Sequence, residues 1–322
     1  MIDSLLKPLD VLPRFAYPFL WADYVELLCL CSKNSLISKG NLQAQAQEAE
    51  DLQADLEDNR DENSEPLDDK ISNRWGDIQK RLQARSKSFP GWPFELDGDV
   101  LRSRFEPEKP DHRLYVTLLV ASSLRLCLNK RHPEITGAFE EISYHWLRQS
   151  LTSIWQVRLF GAHQTLPNSY SGTLYVKLSK LAQDVQGRLL KSAQDYDPRD
   201  TGDGGIDLVA WQNMGDQRGN MLVIFGQCAC SPTDWESKQL DVTPASTEAH
   251  IHLDHPGAAY CFVPHDLSIN ETTWARASHV RRTIIVDRLR LLNLFEVLNI
   301  WHELPKWPFT LEVLQSKITP AT

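Results

Sequence analysis

Several features of membrane and exported proteins are missing from this sequence of 322 residues. Its longest apolar runs are about ten residues, whereas a membrane-spanning helix needs about 20. The first residues contain no basic segment followed by an apolar stretch, which a secretion signal would require. We therefore expect a cytoplasmic protein without a membrane partner.

The six cysteines include no C-x-x-C motif, the spacing that is typical of zinc ribbons and thiol redox centres. Two pairs have C-x-C spacing instead: Cys29 with Cys31, and Cys228 with Cys230. We interpret them as buried free thiols in a reducing compartment.

Positive charge is also in deficit. The chain has 34 lysine and arginine residues against 43 aspartate and glutamate residues, for a formal net charge of −9. A protein of this sign does not hold DNA by a general positive field. Any affinity for nucleic acid must come from a local basic patch, a bound cation or a partner.

The composition is otherwise that of a folded protein, with 42% hydrophobic residues and 10 tryptophans. We divide the chain into a mainly helical N-terminal region, 1–130, and a second domain, 131–322. An acidic stretch near 41–69 is rich in Gln, Glu and Asp and nearly free of aromatic residues. We interpret it as a solvated linker; a mimic of DNA charge that guards a basic site is the alternative.

The hydrophobic pattern after residue 130 predicts strands between helices. The predicted helices are 136–151, 174–190, a short one that starts at Ser231-Pro232, and 287–300. The predicted strands are 206–211, 221–229, 258–263 and 283–286. This order predicts an α/β (α+β) fold in which helices flank a mixed β-sheet.

The first two strands read as a hairpin that carries polar residues at one end. Asp207 lies at the start of one strand and Gln227 near the end of the next. Pairing Gln212 with Met221 places Asp207 beside Gly226, and a shift of one residue places it opposite Gln227. Mg²⁺ prefers such a ligand set, one or two carboxylates plus a neutral oxygen. A magnesium site for phosphodiester hydrolysis is therefore a candidate here.

The motif Gly-Asp-Gly-Gly-Ile-Asp at 202–207, followed after a loop by an apolar strand and Gln227-Cys228, resembles the Mrr-like branch of the PD-(D/E)XK nuclease superfamily. Phe139-Glu140 is similar to a Phe-Glu pair that the family carries on the preceding helix, with Glu141 as a weaker match. The resemblance implies a restriction-endonuclease-like fold and DNA cleavage with Mg²⁺ or Mn²⁺ in prokaryotic restriction or anti-phage defence. It also implies that Glu140, Asp207 and Gln227 hold the metal.

One position departs from the family pattern. Ala229 stands where the family has a lysine that positions water or offsets charge. Lys238, on the following predicted helix, is our candidate replacement, and a surface pair with Asp234 is the competing interpretation. The other explanation is a degenerate site in a nuclease-like subunit that only binds nucleic acid or a protein partner.

Arginines near the C-terminus are candidates for phosphate contacts. The residues are Arg281, Arg282, Arg288 and Arg290. Surface solubility with one or two ion pairs is the alternative. We further expect the helical N-terminal region to contact a regulatory or ATPase subunit of a defence system.

A second metal motif competes with the first. His250-Ile251-His252-Leu253-Asp254-His255 resembles the H-x-H-x-D-H signature of metallo-β-lactamase-type zinc hydrolases. The signature lies early in that fold, whereas here it lies late and follows a mainly helical region. We therefore expect residues 249–253 to form a strand or strand-like loop.

Overall fold

The computed structural model describes residues 4–9, 12–13, 18–54, 67–161, 166, 169–270 and 273–316. Its helices are α1 (Pro18–Cys31), α2 (Lys39–Ala54), α3 (Leu67–Ser88), α4 (Pro110–Ser122), α5 (His132–Ser150), α6 (Leu174–Asp184), α7 (Trp235–Lys238), α8 (Pro244–Thr247), α9 (Arg288–Leu298) and α10 (Phe309–Glu312).

The strands are β1 (Leu36–Ser38), β2 (Phe94–Asp97), β3 (Val100–Ser103), β4 (Trp155–Leu159), β5 (Arg188–Leu189), β6 (Leu208–Gln212), β7 (Val223–Cys228), β8 (Ile251–His252), β9 (Ala258–Phe262), β10 (Ser268–Asn270), β11 (Thr273–Trp274) and β12 (Ile284–Val286). The protein is thus of mixed α/β class. Among the described helices, none combines the length and the hydropathy needed to cross a bilayer.

The chain forms two compact units. Unit 1 contains Met1–His132, His265–Trp274 and Asn299–Thr322, and unit 2 contains Pro133–Pro264 and Ala275–Leu298. The first boundary lies close to residue 130, but the division 131–322 does not separate the two later segments that join unit 1. Those segments are tied there by side chains: Arg81 bonds Asp266, and the Thr117 and Thr310 hydroxyls are 2.8 Å apart.

Unit 1 combines helices with a small antiparallel sheet in the order β1-β3-β2. Helix α1 is buried on every side that is described, because its residues are almost all apolar. Its two acids, Asp23 and Glu26, are buried as well and bind the guanidinium of Arg85 at 2.7 Å and 2.9 Å. The acidic stretch begins as helix α2, which continues to Ala54; residues 55–66 lie outside the described part of the chain.

Unit 2 is built on a five-stranded mixed sheet in the order β12-β9-β7-β6-β4. Strands β4, β6 and β7 are antiparallel neighbours, whereas β7, β9 and β12 run parallel. Helix α6 packs on the face that carries Val209 and Phe225. Helix α5 lies on the other face, where Trp146 contacts the ring of Phe262. The two helices therefore cover opposite faces of the sheet.

Candidate metal centre

The register of the hairpin decides whether its two polar residues meet. Leu208 pairs with Gly226, and the Gln212 N–H donates to the Leu222 carbonyl. Within the strands this register is shifted by one residue from the pairing of Gln212 with Met221. At the start of β6 the pairing is irregular, because the Asp207 N–H donates to the Gly226 carbonyl at 2.9 Å. Asp207 therefore lies beside Gly226, the residue before Gln227.

The Asp207 carboxylate lies across the end of strand β7. Its Oδ2 accepts a hydrogen bond from the Cys228 backbone N–H at 2.7 Å. The Asp207 carbonyl accepts from the N–H groups of Phe160 and Gly161, at 2.7 Å and 3.1 Å. Asp207 thus joins the ends of β4, β6 and β7, and its side chain is held at their junction.

Helix α5 brings Glu140 to the same junction. A Cβ on Gly161 would lie 2.9 Å from Glu140 Oε2 and 3.0 Å from Asp207 Oδ1. Both oxygens lie within 3.0 Å of this one point, so they lie within about 6 Å of each other. Glycine at position 161 leaves open the space between them, and its φ lies outside the left-handed range that favours glycine. Close approach of two carboxylates is thus the reason for glycine here.

Gln227 supplies a neutral oxygen on the next strand. The residue is buried, and among the described residues its Oε1 has no hydrogen-bond partner. Its Nε2 makes a long contact of 3.4 Å with the Cys228 carbonyl. A buried carbonyl oxygen without a partner costs roughly 1–3 kcal/mol. A cation ligand is one arrangement that would satisfy it.

Burial and neighbouring acids raise the pKa values of both carboxyl groups. Burial, with Asp207 and Asp203 acting in the same direction, raises the pKa of Glu140 to about 9. Burial and Asp203 raise the pKa of Asp207 to about 7, against the opposing hydrogen bond from Cys228. Asp241, which contacts Gly205, also has a raised pKa because of burial. The site therefore gathers carboxyl groups that are costly to ionise, and a bound cation would favour their ionised form by displacing the proton.

Lys238 ends the short helix α7 and is exposed. Its charge lowers the pKa of Glu140 and of Asp207, so it lies within electrostatic range of both. Among the described residues Lys238 makes no ion pair with Asp234. Ala229, the position where the family pattern has lysine, is buried, and its N–H donates to the Phe262 carbonyl.

The structure adds a lysine that our sequence analysis missed. Lys177, on helix α6, is buried and donates to the Phe160 and Thr201 carbonyls at 3.3 Å and 3.2 Å. Burial lowers its pKa, against the attraction of Asp203 and Asp200 and, more weakly, of Asp207. A signal was present: Lys177 interrupts the apolar stripe of Leu174, Leu178 and Leu181.

The four predicted phosphate-binding arginines do not share one role. Arg281 and Arg282 are exposed on a segment that hydrogen-bonds to Gln239, the residue after Lys238. The assignment of Arg288 was wrong, because that side chain is fully buried and its Nε donates to the Pro264 carbonyl. Arg290 is exposed, although its guanidinium bonds the Ile285 carbonyl.

The histidine motif is spread over a surface turn. His250 Nδ1 lies 3.0 Å from the Tyr196 hydroxyl, and His252 is exposed on β8. His255 is also exposed and contacts the Pro256 carbonyl. Within the described part of the chain, no three His, Cys, Asp or Glu side chains are arranged to hold a metal ion. The magnesium candidate differs in kind, since it has two carboxylates and an amide oxygen.

A scan against protein-family models, a search of curated proteins and a search of solved structures each returned no match to this chain. The interpretation of the site consequently depends on its geometry and chemistry.

Proposed function

We propose that this protein is a metal-dependent endonuclease of restriction-endonuclease-like fold that cleaves DNA phosphodiester bonds in the cytoplasm. One observation carries the proposal: the Glu140 and Asp207 carboxylates converge on Gly161. Gln227 follows Gly226, whose carbonyl accepts from the Asp207 N–H. Resemblance of the Gly202–Asp207 and Gln227-Cys228 motifs to Mrr-like nucleases supports the reaction. A role in prokaryotic restriction or anti-phage defence, with a regulatory or ATPase partner, rests on that resemblance alone.

The donor set fits Mg²⁺ or Mn²⁺. Two carboxylates and an amide oxygen are ligands that hard cations prefer, with water and phosphate in the remaining positions. Glu140 and Asp207 would hold the ion, and the buried Gln227 Oε1 would gain the partner it lacks among the described residues. A bound ion would neutralise charge on the scissile phosphate and activate a water molecule.

The residues around the ion would handle the substrate. Lys238 is an exposed cation within electrostatic range of both acids, and we assign it to orienting water and offsetting charge on the phosphate. Arg281 and Arg282, exposed on the segment bound to Gln239, would contact the DNA backbone. This local group of positive charges is the basic patch that a protein of net charge −9 needs to bind DNA.

Plasmid cleavage with Mg²⁺ or Mn²⁺ tests the proposal. The variants Asp207→Asn, Glu140→Gln and Gly161→Ala should each lose at least ~100-fold in rate, as expected when one preorganised group is removed. Gly161→Ala keeps both acids and fills the space between them. Glu134→Gln is the matched control, because Glu134 is an exposed acid on the same helix and should retain activity.

Two results separate the alternatives. Equal cleavage by the wild type and all three variants would show that the activity comes from elsewhere. A wild type that binds DNA but never cleaves it, with either metal and with partner proteins present, would support a nuclease-like binding subunit. The buried Ala229 at the lysine position is the observation that keeps this second function in view.

A further inference from the structure

Lys177 is a buried charge in unit 2 that the proposed chemistry does not use. Its ammonium lies 5.3 Å from the centre of the Phe160 ring and donates to two backbone carbonyls, those of Phe160 and Thr201. Neither acceptor is a carboxylate, although a buried lysine is ordinarily paired with an acid. A role in neutralising one particular partner therefore does not explain its position.

The two carbonyls belong to the two backbone segments that form the candidate site. Phe160 precedes Gly161, the residue on which Glu140 and Asp207 converge. Thr201 belongs to the loop that leads to Asp207 through the turn in which Gly205 donates to Asp203 Oδ1. The Lys177 ammonium thus links the end of strand β4 to the acidic loop.

A second contact runs in parallel with this link. The Asp200 carbonyl accepts from the Leu174 N–H at the start of helix α6, so the same helix holds the loop twice. The Asp207 carbonyl in turn accepts from Phe160 and Gly161. Helix α6, loop 200–207 and the end of β4 therefore form a closed hydrogen-bonded frame, in which Lys177 is the charged member.

We propose that Lys177 is a positioning residue of the metal centre, which fixes the Gly161 backbone and the acidic loop so that Glu140 and Asp207 face one divalent cation. The inference rests on the proposed function. The direction in which cation affinity changes distinguishes a positioning role from a purely electrostatic one. Removing a nearby positive charge should tighten cation binding if Lys177 acts only through its electrostatic field. Removing a positioning residue should weaken it, by about 10–100-fold for a residue that orients metal ligands.

The test measures Mn²⁺ affinity by calorimetry or electron paramagnetic resonance, without DNA. Lys177→Met keeps the length of the side chain and removes its charge and donors, whereas Lys177→Gln keeps two donors. We expect the Mn²⁺ affinity to be highest in the wild type, lower in Lys177→Gln and lowest in Lys177→Met. The matched control is Lys180→Met, an exposed cation on the same helix, which should bind Mn²⁺ as the wild type does. Far-ultraviolet circular dichroism and thermal melting establish whether each variant is folded. If Lys177→Met does not fold, the comparison of Lys177→Gln with the wild type is the test.

The outcomes distinguish this inference from the proposed function. If Asp207→Asn abolishes Mn²⁺ binding but both Lys177 variants bind as tightly as the wild type or more tightly, the positioning role is wrong and the metal centre stands. If the wild type binds no Mn²⁺, the metal centre and the role of Lys177 fall together. Weaker binding in the Lys177 variants with unchanged binding in Lys180→Met supports both.

Discussion

Each unit buries several carboxylates, but the two units treat them differently. In unit 1 the acids Asp23, Glu26 and Asp266 bind one buried guanidinium, that of Arg85, at 2.7–3.0 Å. In unit 2 Glu140 and Asp207 are buried close to each other and have raised pKa values. The first arrangement is internally compensated and holds a fold together. The second consists of carboxyl groups that are costly to ionise, and a bound cation would offset that cost. Perturbed pKa values of this kind cluster at functional sites.

Loss of the unit 1 arginine should have the largest effect. Arg85→Met leaves three buried acids without their common partner, and we expect a loss of about 3–5 kcal/mol in the free energy of unfolding. Denaturant unfolding measures it. The control is Arg104→Met, which breaks an exposed pair with Glu95 and should cost no more than about 1 kcal/mol. Similar losses in the two variants would contradict the structural role of the buried cluster.

Removing an acid from unit 2 should change the free energy of unfolding in the opposite direction, towards greater stability. At pH 8 and without divalent cations, Glu140→Gln should stabilise the protein by more than ~1.4 kcal/mol, the equivalent of one pKa unit, because burial raises the pKa of Glu140 by more than that. The folded state holds a proton on Glu140 up to a pKa of about 9, and the unfolded state loses it near the ordinary value of 4.5. Stability of the wild type therefore falls as pH rises between these values.

The pH dependence of that gain is its check. The stabilisation by Glu140→Gln should disappear as pH falls towards 4.5, where both states are protonated. Thermal melts from pH 4.5 to 8 measure it, with the exposed Glu134→Gln as the control. A loss of stability in Glu140→Gln at pH 8 would mean that this acid is compensated in the way the unit 1 acids are.

Magnesium should have a smaller stabilising effect. At a concentration tenfold above its dissociation constant, Mg²⁺ stabilises the folded protein by about 1.4 kcal/mol. Binding displaces the carboxyl proton, so the shift should be larger at pH 8 than at pH 6. Gly161→Ala should show no shift, because its methyl group occupies the space between the carboxylates. An undiminished shift in that variant would place the Mg²⁺ elsewhere.

The smallest effect on stability belongs to Lys238→Met. This side chain is exposed, so the free energy of unfolding should change by no more than ~0.5 kcal/mol. Plasmid cleavage should nevertheless fall strongly, whereas Lys180→Met should leave both quantities unchanged. Full activity in Lys238→Met would remove this lysine from the proposed mechanism.

The sequence predicts the hairpin but not its register. Residues 208–211 and 223–226 are buried, so neither strand carries the alternation of polar and apolar residues that fixes pairing. The register therefore depends on the backbone conformation of the connecting loop, where Gly215 and Asn220 have positive φ. The sequence nevertheless singles out Asp207 and Gln227, because each is a polar residue at the same end of the hairpin as the other and next to an apolar run.

Other features depend on contacts distant in sequence. Lys177 approaches Thr201 across 24 residues, and Asp241 reaches Gly205 from beyond the hairpin. The return of residues 265–274 to unit 1 depends on Asp266 meeting two arginines of α3. Local periodicity contains no information on these pairings, and it did not predict the strands β2 and β3 either.

The hydrogen bond between Asp207 Oδ2 and the Cys228 N–H has a consequence for protein engineering. The carboxylate accepts the hydrogen bond of the last residue of β7, so it stabilises the end of that strand whatever its chemical role. An alanine at this position would expose a strand amide and confound an inactive enzyme with a loosened hairpin. Asparagine retains the acceptor, so we expect Asp207→Asn to keep the hairpin intact and, under the proposed function, to remove activity.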